Sequence, residues 1–186
     1  MSTPTVRFVL LALLGREPAT GQELAQRLRD PVGFFWSAPH SQIYPQLAAL
    51  VTDGLVRFDV ESAGAIRPRK RYRLTPKGRR ELRRWLASTP DRQPPRDEVM
   101  VRAYAVSLAD RSRATRLYAE LAARAEARIG EYESLEAQLR ADHGVAVEDP
   151  SYPAFGNWSV LQAGLLAERA RVQWCHWMVG RLTDDH

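Results

Sequence analysis

The chain has 186 residues, 45% hydrophobic and 26% charged, which suits one large domain or two small ones and excludes a disordered or fibrous protein. Its formal net charge of +5 is unevenly placed: residues 1–96 hold 17 Lys and Arg against 8 Asp and Glu, and residues 97–186 hold 10 against 14. The first half attracts a polyanion and the second does not. The longest apolar run, Phe8 to Leu14, is far too short for a bilayer, and Arg16 and Glu17 stand where a signal peptide needs small residues, so a cytoplasmic protein is expected. The single cysteine, Cys175, makes no internal disulfide, in keeping with a reducing compartment.

Thr3-Pro4 predicts a helix start, and Val6, Val9, Leu10, Leu13 and Leu14 continue it at helical spacing. Gly15 to Ala19 breaks the pattern. Thr20-Gly21-Gln22-Glu23 predicts a capping box opening a second helix with Leu24, Ala25 and Leu28 on its buried stripe. Asp30 to Gly33 ends it, and Phe34, Phe35 and Trp36 form an aromatic cluster in a loop. A third helix begins at Ser41, with Ile43, Leu47, Leu50 and Val51 on one face, Pro45 near its first turn and Asp53-Gly54 as its stop.

Two strands are expected next, at 55–60 and 71–75. The second sets Tyr72 and Leu74 against Arg71 and Arg73 on its opposite side. The hairpin between them has a long tip, Glu61 to Lys70. Thr75-Pro76 starts a fourth helix through Leu82, Trp85 and Leu86. Three prolines in 88–96 mark a hinge. Beyond it the pattern is all helical, with helices near 97–108, 110–141 and 157–182, and with Leu117, Leu121, Ala125, Ile129, Tyr132, Leu135 and Leu139 as the stripe of the long one. The expected organisation is mainly α, with a winged helix-turn-helix domain at 1–89, a hinge at 90–96 and a helical dimerisation domain at 97–186.

In a winged helix-turn-helix the third helix enters the major groove and the hairpin reaches phosphates or an adjacent groove. Ser41, Gln42, Tyr44 and Gln46, on the polar side of the third helix, are uncharged hydrogen-bonding groups able to reach base edges. The hairpin supplies Arg67, Arg69, Lys70 and Arg71 for the backbone. Through Arg84 the run holds ten cations against one acid, Glu81; the 79–84 part is equally a solvated helix face.

Residues 37–56 carry Ile43-Tyr44-Pro45, Leu47, Leu50, Gly54 and Leu55, and residues 68–86 read P-R-K-R-Y-R-L-T-P-K-G-R-R-E-L-R-R-W-L. With Gly21-Gln22-Glu23-Leu24, these resemble PadR-like transcriptional regulators over about the first 90 residues. The resemblance implies a phosphate contact at Gln22, where the family often carries an aromatic. Trp158, Leu161, Gly164, Glu168, Trp174 and Leu182 are spaced as in the longer PadR subgroup, whose tail is similar to that of virulence-gene activators and dimerises. The resemblance also implies repression near a promoter, often relieved by a ligand, and in some relatives a flat aromatic ligand held between tryptophans, which here corresponds to Phe8, Trp174 and Trp177.

The last helix is apolar over a wide arc, more than one small domain easily covers. A homodimer interface is therefore expected from Leu117, Leu121, Trp158, Leu161, Leu165, Val172, Trp174 and Val179, with burial inside the monomer as the alternative for this arc. A two-fold dimer implies a palindromic operator of double-stranded DNA. No cofactor, metal or membrane partner is called for. Three other functions are open: a sensor whose main event is binding a small aromatic effector, a protein-binding scaffold, and an enzyme. Cys175-His176 is an adjacent nucleophile-and-base pair, but helix neighbours point about 100° apart.

Overall fold

The computed structural model describes residues 4–28, 40–61, 69–90 and 97–184, which form two compact units, residues 1–91 and 92–186. The Thr3 cap, the stop at 30–33, the aromatic cluster 34–36, the hairpin tip at 62–68 with Arg67, and the hinge from residue 91 to 96 lie outside the described residues.

The first unit runs α1 (Pro4–Arg16), β1 (Ala19–Thr20), α2 (Gly21–Arg27), a 3-10 turn (His40–Gln42), α3 (Ile43–Thr52), β2 (Val56–Glu61), β3 (Arg69–Leu74) and α4 (Pro76–Leu86). Its three strands are antiparallel in the order β1-β3-β2. Leu10 and Leu11 of α1, Leu24 of α2, and Leu47 and Leu50 of α3 are fully enclosed together. Each such leucine contributes about 1.5–3 kcal/mol by leaving water.

The caps form as their sequences require. The Thr20 hydroxyl accepts from the Glu23 N–H at 3.2 Å, and the Glu23 carboxylate accepts from the Thr20 N–H at 2.7 Å, closing the box. After α3 the Gly54 N–H bonds the Val51 carbonyl and the Leu55 N–H bonds the Leu50 carbonyl, the paired bonds of a Schellman ending. The first turn of α4 then latches onto that corner. Thr75 donates from its hydroxyl to the Gly54 carbonyl at 2.8 Å and from its N–H to the Leu55 carbonyl at 3.0 Å, and Lys77 Nζ donates to the Asp53 carbonyl at 2.8 Å.

The second unit holds α5 (Glu98–Tyr104), a 3-10 turn (Val106–Leu108), α6 (Arg111–His143), a 3-10 turn (Gly144–Glu148) and α7 (Phe155–Thr183). The single helix expected near 97–108 is thus two pieces. The long helix buries part of the expected stripe, Ala125 and Tyr132, together with Ala114, Tyr118 and Ala122, while Leu117, Leu121, Ile129 and Leu139 of the stripe are half-buried and Leu135 is exposed. The alanines leave room for α7, which packs along α6 with Leu161, Leu165, Cys175 and Met178 buried. Trp158 Nε1 and Gln162 Nε2 both donate to Glu136 Oε1, at 3.1 and 2.9 Å, pinning one end of the pair.

Candidate nucleic-acid interface

Four elements of the first unit meet at one groove of about 410 Å³, lined by Thr20 from β1, Gly21 and Gln22 from the start of α2, Tyr44 from α3, and Arg69, Lys70 and Tyr72 from β3. Gln22, Tyr44, Arg69 and Lys70, far apart in the sequence, thus share one surface. Ser41 and Gln42 are exposed in the 3-10 turn that leads into α3. Gln46 is half-buried.

Tyr44 is 49% exposed, and its ring lies close against Gly21. A Cβ built on Gly21 would stand 2.6 Å from Tyr44 Cε1, so a glycine is needed for the ring to sit this close to the start of α2. Sequence reasoning used Gly21 in the capping box and in the family resemblance, without a reason for glycine at that position. Its signal, a glycine at the first helical position where most side chains are tolerated, is visible only once Tyr44 is known to lie above it.

The cations of the hairpin divide into two sets. Antiparallel register sets Asp59 opposite Arg71 and Arg57 opposite Arg73, which brings the acids of β2 beside the odd-numbered cations of β3. Arg73 pairs with Asp59 at 2.8 Å. Arg71 bonds Glu61 through Nε and both Glu23 carboxylate oxygens through its terminal nitrogens, at 3.1 and 3.3 Å, and it also reaches the Pro18 carbonyl. Glu61 and then Glu23 raise the Arg71 pKa, while the Thr20 backbone N–H, and after it Arg71, hold the Glu23 carboxyl below the usual glutamate range. Arg71 was expected to face phosphate. Its charge is instead matched by two carboxylates, and the side chain ties the sheet to the start of α2. Arg84 is likewise paired, with Glu81. The excess of ten cations over one acid in the sequence therefore overstates the charge left facing outward. Arg69 and Lys70 are exposed and make no ion pair among the described residues; Lys70 Nζ lies 4.2 Å above the Phe58 ring.

In the second unit the expected interface set is split. Leu161 and Leu165 are buried against the unit's own α6 and are closed to any partner, which corrects their assignment. Leu121, Trp174 and Val179 pack against the cluster of Tyr118, Ala122, Cys175 and Met178 while remaining partly open. Leu117, Trp158 and Val172 are half-buried. Trp177, 56% exposed, and Leu166 are the open apolar residues of α7. Of the three residues matched to an aromatic ligand, Phe8 belongs to the first unit, where it stacks on Trp85 with ring centroids 4.6 Å apart. Trp174 meets Tyr118 edge-on at 5.6 Å in the second unit.

Cys175 is sealed, and burial pushes its thiol up from its ordinary value, the opposite of nucleophile activation. His176 beside it is exposed, its Nε2 lying 3.6 Å from Glu126. Among the described residues no helix is long and apolar enough to cross a membrane, and no cluster of metal-ligating side chains occurs.

Residues 10–84 match the model of the Transcriptional regulator PadR-like family, and residues 95–183 match Virulence activator alpha C-term. The chain is 30% identical over 183 residues to the negative transcriptional regulator PadR of Bacillus subtilis, a match spanning 97% of this chain and 98% of that one. The crystal structure of that regulator with operator DNA superposes with a TM-score of 0.87 at 29% identity, covering 96% of this chain and 99% of that one. Its complex with p-coumaric acid gives 0.83 at 28% identity, with the same coverage. A winged unit and a helical tail each matched by a family model, together with a relative this similar along nearly the whole chain, show that the protein belongs to the PadR-like family of transcriptional regulators, in the long form with a virulence-activator-like C-terminal domain.

Proposed function

We propose that the chain is a sequence-specific repressor that binds a palindromic operator as a homodimer, with α3 in the major groove and the hairpin on the phosphate backbone. One observation carries this reading: the groove that gathers Gln22 and Tyr44 beside Arg69 and Lys70, exposed cations with no ion pair among the described residues. A helix edge bearing planar polar groups suits base edges, and two exposed cations next to it suit phosphates. Ser41, Gln42, Tyr44 and Gln46 are assigned to bases, and Gln22, Arg67, Arg69 and Lys70 to the backbone. Arg71 acts indirectly, holding β3 to the start of α2. The B. subtilis relative bound to operator DNA supports this docking, and its description as a negative regulator supports repression.

The dimer is assigned to the second unit, where Leu166, Trp177, Met100, Val101, Tyr104 and Leu108 stand open on α5, the turn after it and α7. Apolar side chains exposed in this number favour a partner surface. Response to a small aromatic effector is a second activity of the same protein, favoured by the relative's complex with p-coumaric acid.

The base-reading assignment is tested with Gln42→Ala and Tyr44→Ala. Both side chains lie outside the core, so the circular dichroism spectrum and melting temperature should stay close to those of the wild type. A lost base contact of this kind costs about 1–3 kcal/mol in discrimination. Affinity for a DNA site recovered by selection should fall roughly tenfold or more in each variant, with affinity for scrambled duplex little changed. Equal affinity of both variants and the wild type for the selected site would refute the assignment.

A further inference from the structure

α4 reads P-K-G-R-R-E-L-R-R-W-L, and the DNA-facing groove uses none of its five cations. At about 100° per residue, Arg79, Arg83, Arg80, Arg84 and Lys77 fall on one face roughly 160° wide. The opposite side turns inward: Gly78 is buried, and Leu82 packs on the core of the first unit. Arg79, Arg80 and Arg83 are exposed and make no ion pair among the described residues. Glu81, the one acid of α4, is matched by Arg84.

We propose that this face of α4 binds the phosphate backbone of a second duplex, so that the protein bridges two segments of DNA. The proposal rests on the DNA-binding reading in one respect, that the first duplex occupies the groove described above.

Position separates the two surfaces. Lys77 donates to the Asp53 carbonyl at the far end of α3, some 14 Å along that helix from Tyr44. Trp85 stacks on Phe8, and the neighbouring Arg7 pairs with Asp53. Both ends of α4 are thus held near the far end of α3, while the base-reading residues, Ser41 to Gln46, occupy the near end. Charges this far apart are screened from each other at physiological salt, where the Debye length is about 8 Å.

Composition selects the partner. Apart from Pro76 at its start, the face carries no apolar side chain, whereas a protein interface has an apolar centre. Four of its five cations are arginines, whose planar forks match phosphate oxygens. The arrangement is also costly to the free protein. Arg79 and Arg83, and Arg80 and Arg84, stand four residues apart, where like charges repel. Lys77 and Arg79 lie near the helix N-terminus, where the dipole disfavours cations, and no acid stands in that turn. A polyanion laid along the face offsets both costs.

The test uses the full chain. A duplex carrying the selected site is immobilised and saturated with protein, and a labelled duplex of scrambled sequence is then added at about 0.1 M salt. The wild type should hold the second duplex saturably, and less tightly as salt rises. Exchanging Arg79→Gln, Arg80→Gln and Arg83→Gln together should weaken that hold at least about tenfold and make its log–log salt slope shallower by roughly 3. Affinity of this variant for the selected site should change by less than about twofold, because the groove is screened from α4. Its melting temperature should hold or rise, because like-charge repulsion is removed. A second arm does not depend on the groove: added to Arg69→Glu with Lys70→Glu, the same three exchanges should lower the remaining affinity for scrambled duplex by roughly a further tenfold. Failure to recover any selected site, with this arm giving the expected loss, would sink the base-reading assignment and support the α4 face. No second duplex held by the wild type, an equal hold by the triple variant, or displacement of the second duplex by polyglutamate as readily as by DNA would overturn the proposal.

Discussion

Reversing the two unpaired hairpin cations together, Arg69→Glu with Lys70→Glu, should lower affinity for any duplex by roughly 100-fold near 0.15 M salt. A dimer would lose four phosphate contacts, two per hairpin. Each contact releases about one counterion, so the slope of log affinity against log salt should become shallower by about 4. The loss should be nearly the same for a selected site and for scrambled DNA, because phosphate contacts carry no base information. Both side chains are exposed and neither pairs with an acid among the described residues, so the fold should be retained. An electrophoretic or anisotropy titration at several salt concentrations measures both quantities. An unchanged slope would mean that the hairpin does not touch the backbone. The same double reversal at Arg71 and Arg73 would give a confused answer, since their partners Glu61, Glu23 and Asp59 would be left opposing new acids and the sheet itself would suffer.

Gly78→Ala should destabilise the protein by about 3 kcal/mol, lowering the melting temperature by roughly 6–12 °C. Helix propensity alone predicts the opposite sign, a gain of about 0.8–1 kcal/mol for alanine over glycine in a helix. The structure decides between them. Gly78 is buried in the first turn of α4, and a Cβ there would stand 2.1 Å from the Leu55 carbonyl oxygen and 3.2 Å from Leu74 Cδ2. The carbonyl is backbone and already accepts from the Thr75 N–H, so it cannot swing aside without breaking the corner that joins α3 to β2. That corner sets the end of the base-reading helix and the start of the hairpin, and the variant should lose DNA affinity along with stability. Thermal unfolding by circular dichroism measures the effect. A melting temperature equal to or above that of the wild type would show that α4 does not press on the Leu55 backbone.

Much of the first unit was legible because its signals are local. Thr20 and Glu23 close on each other within four residues, Thr75-Pro76 caps α4, and Asp53-Gly54 ends α3; each needs only its own neighbours. What escaped the sequence depends on distant partners. β1 is two residues long, too short for periodicity, and exists because Ala19 and Thr20 pair with Tyr72 and Arg71. The matching of Arg71 and Arg73 by acids follows from strand register, which a count of charges along the chain does not contain. On α6 the expected stripe caught Ala125 and Tyr132 of the buried face, but its leucines lie at the edge of that face. Small residues such as Ala114 and Ala122 are buried there too, and a search for large apolar residues passes over them. Leu161 and Leu165 were drawn outward as interface because the width of the apolar arc on α7 does not say which part of it the unit's own helices cover.

The central claim is that paired α3 helices read base edges while the hairpins grip the backbone beside them. Selection of bound duplexes from a random pool, at moderate salt with competitor DNA, tests it most directly. The account predicts an inverted repeat with half-site centres roughly 10 base pairs or a multiple of that apart, lost when Tyr44→Ala replaces the wild type. A recovered pool with no enriched sequence, or one with a single unrepeated motif that Tyr44→Ala selects equally well, would contradict it.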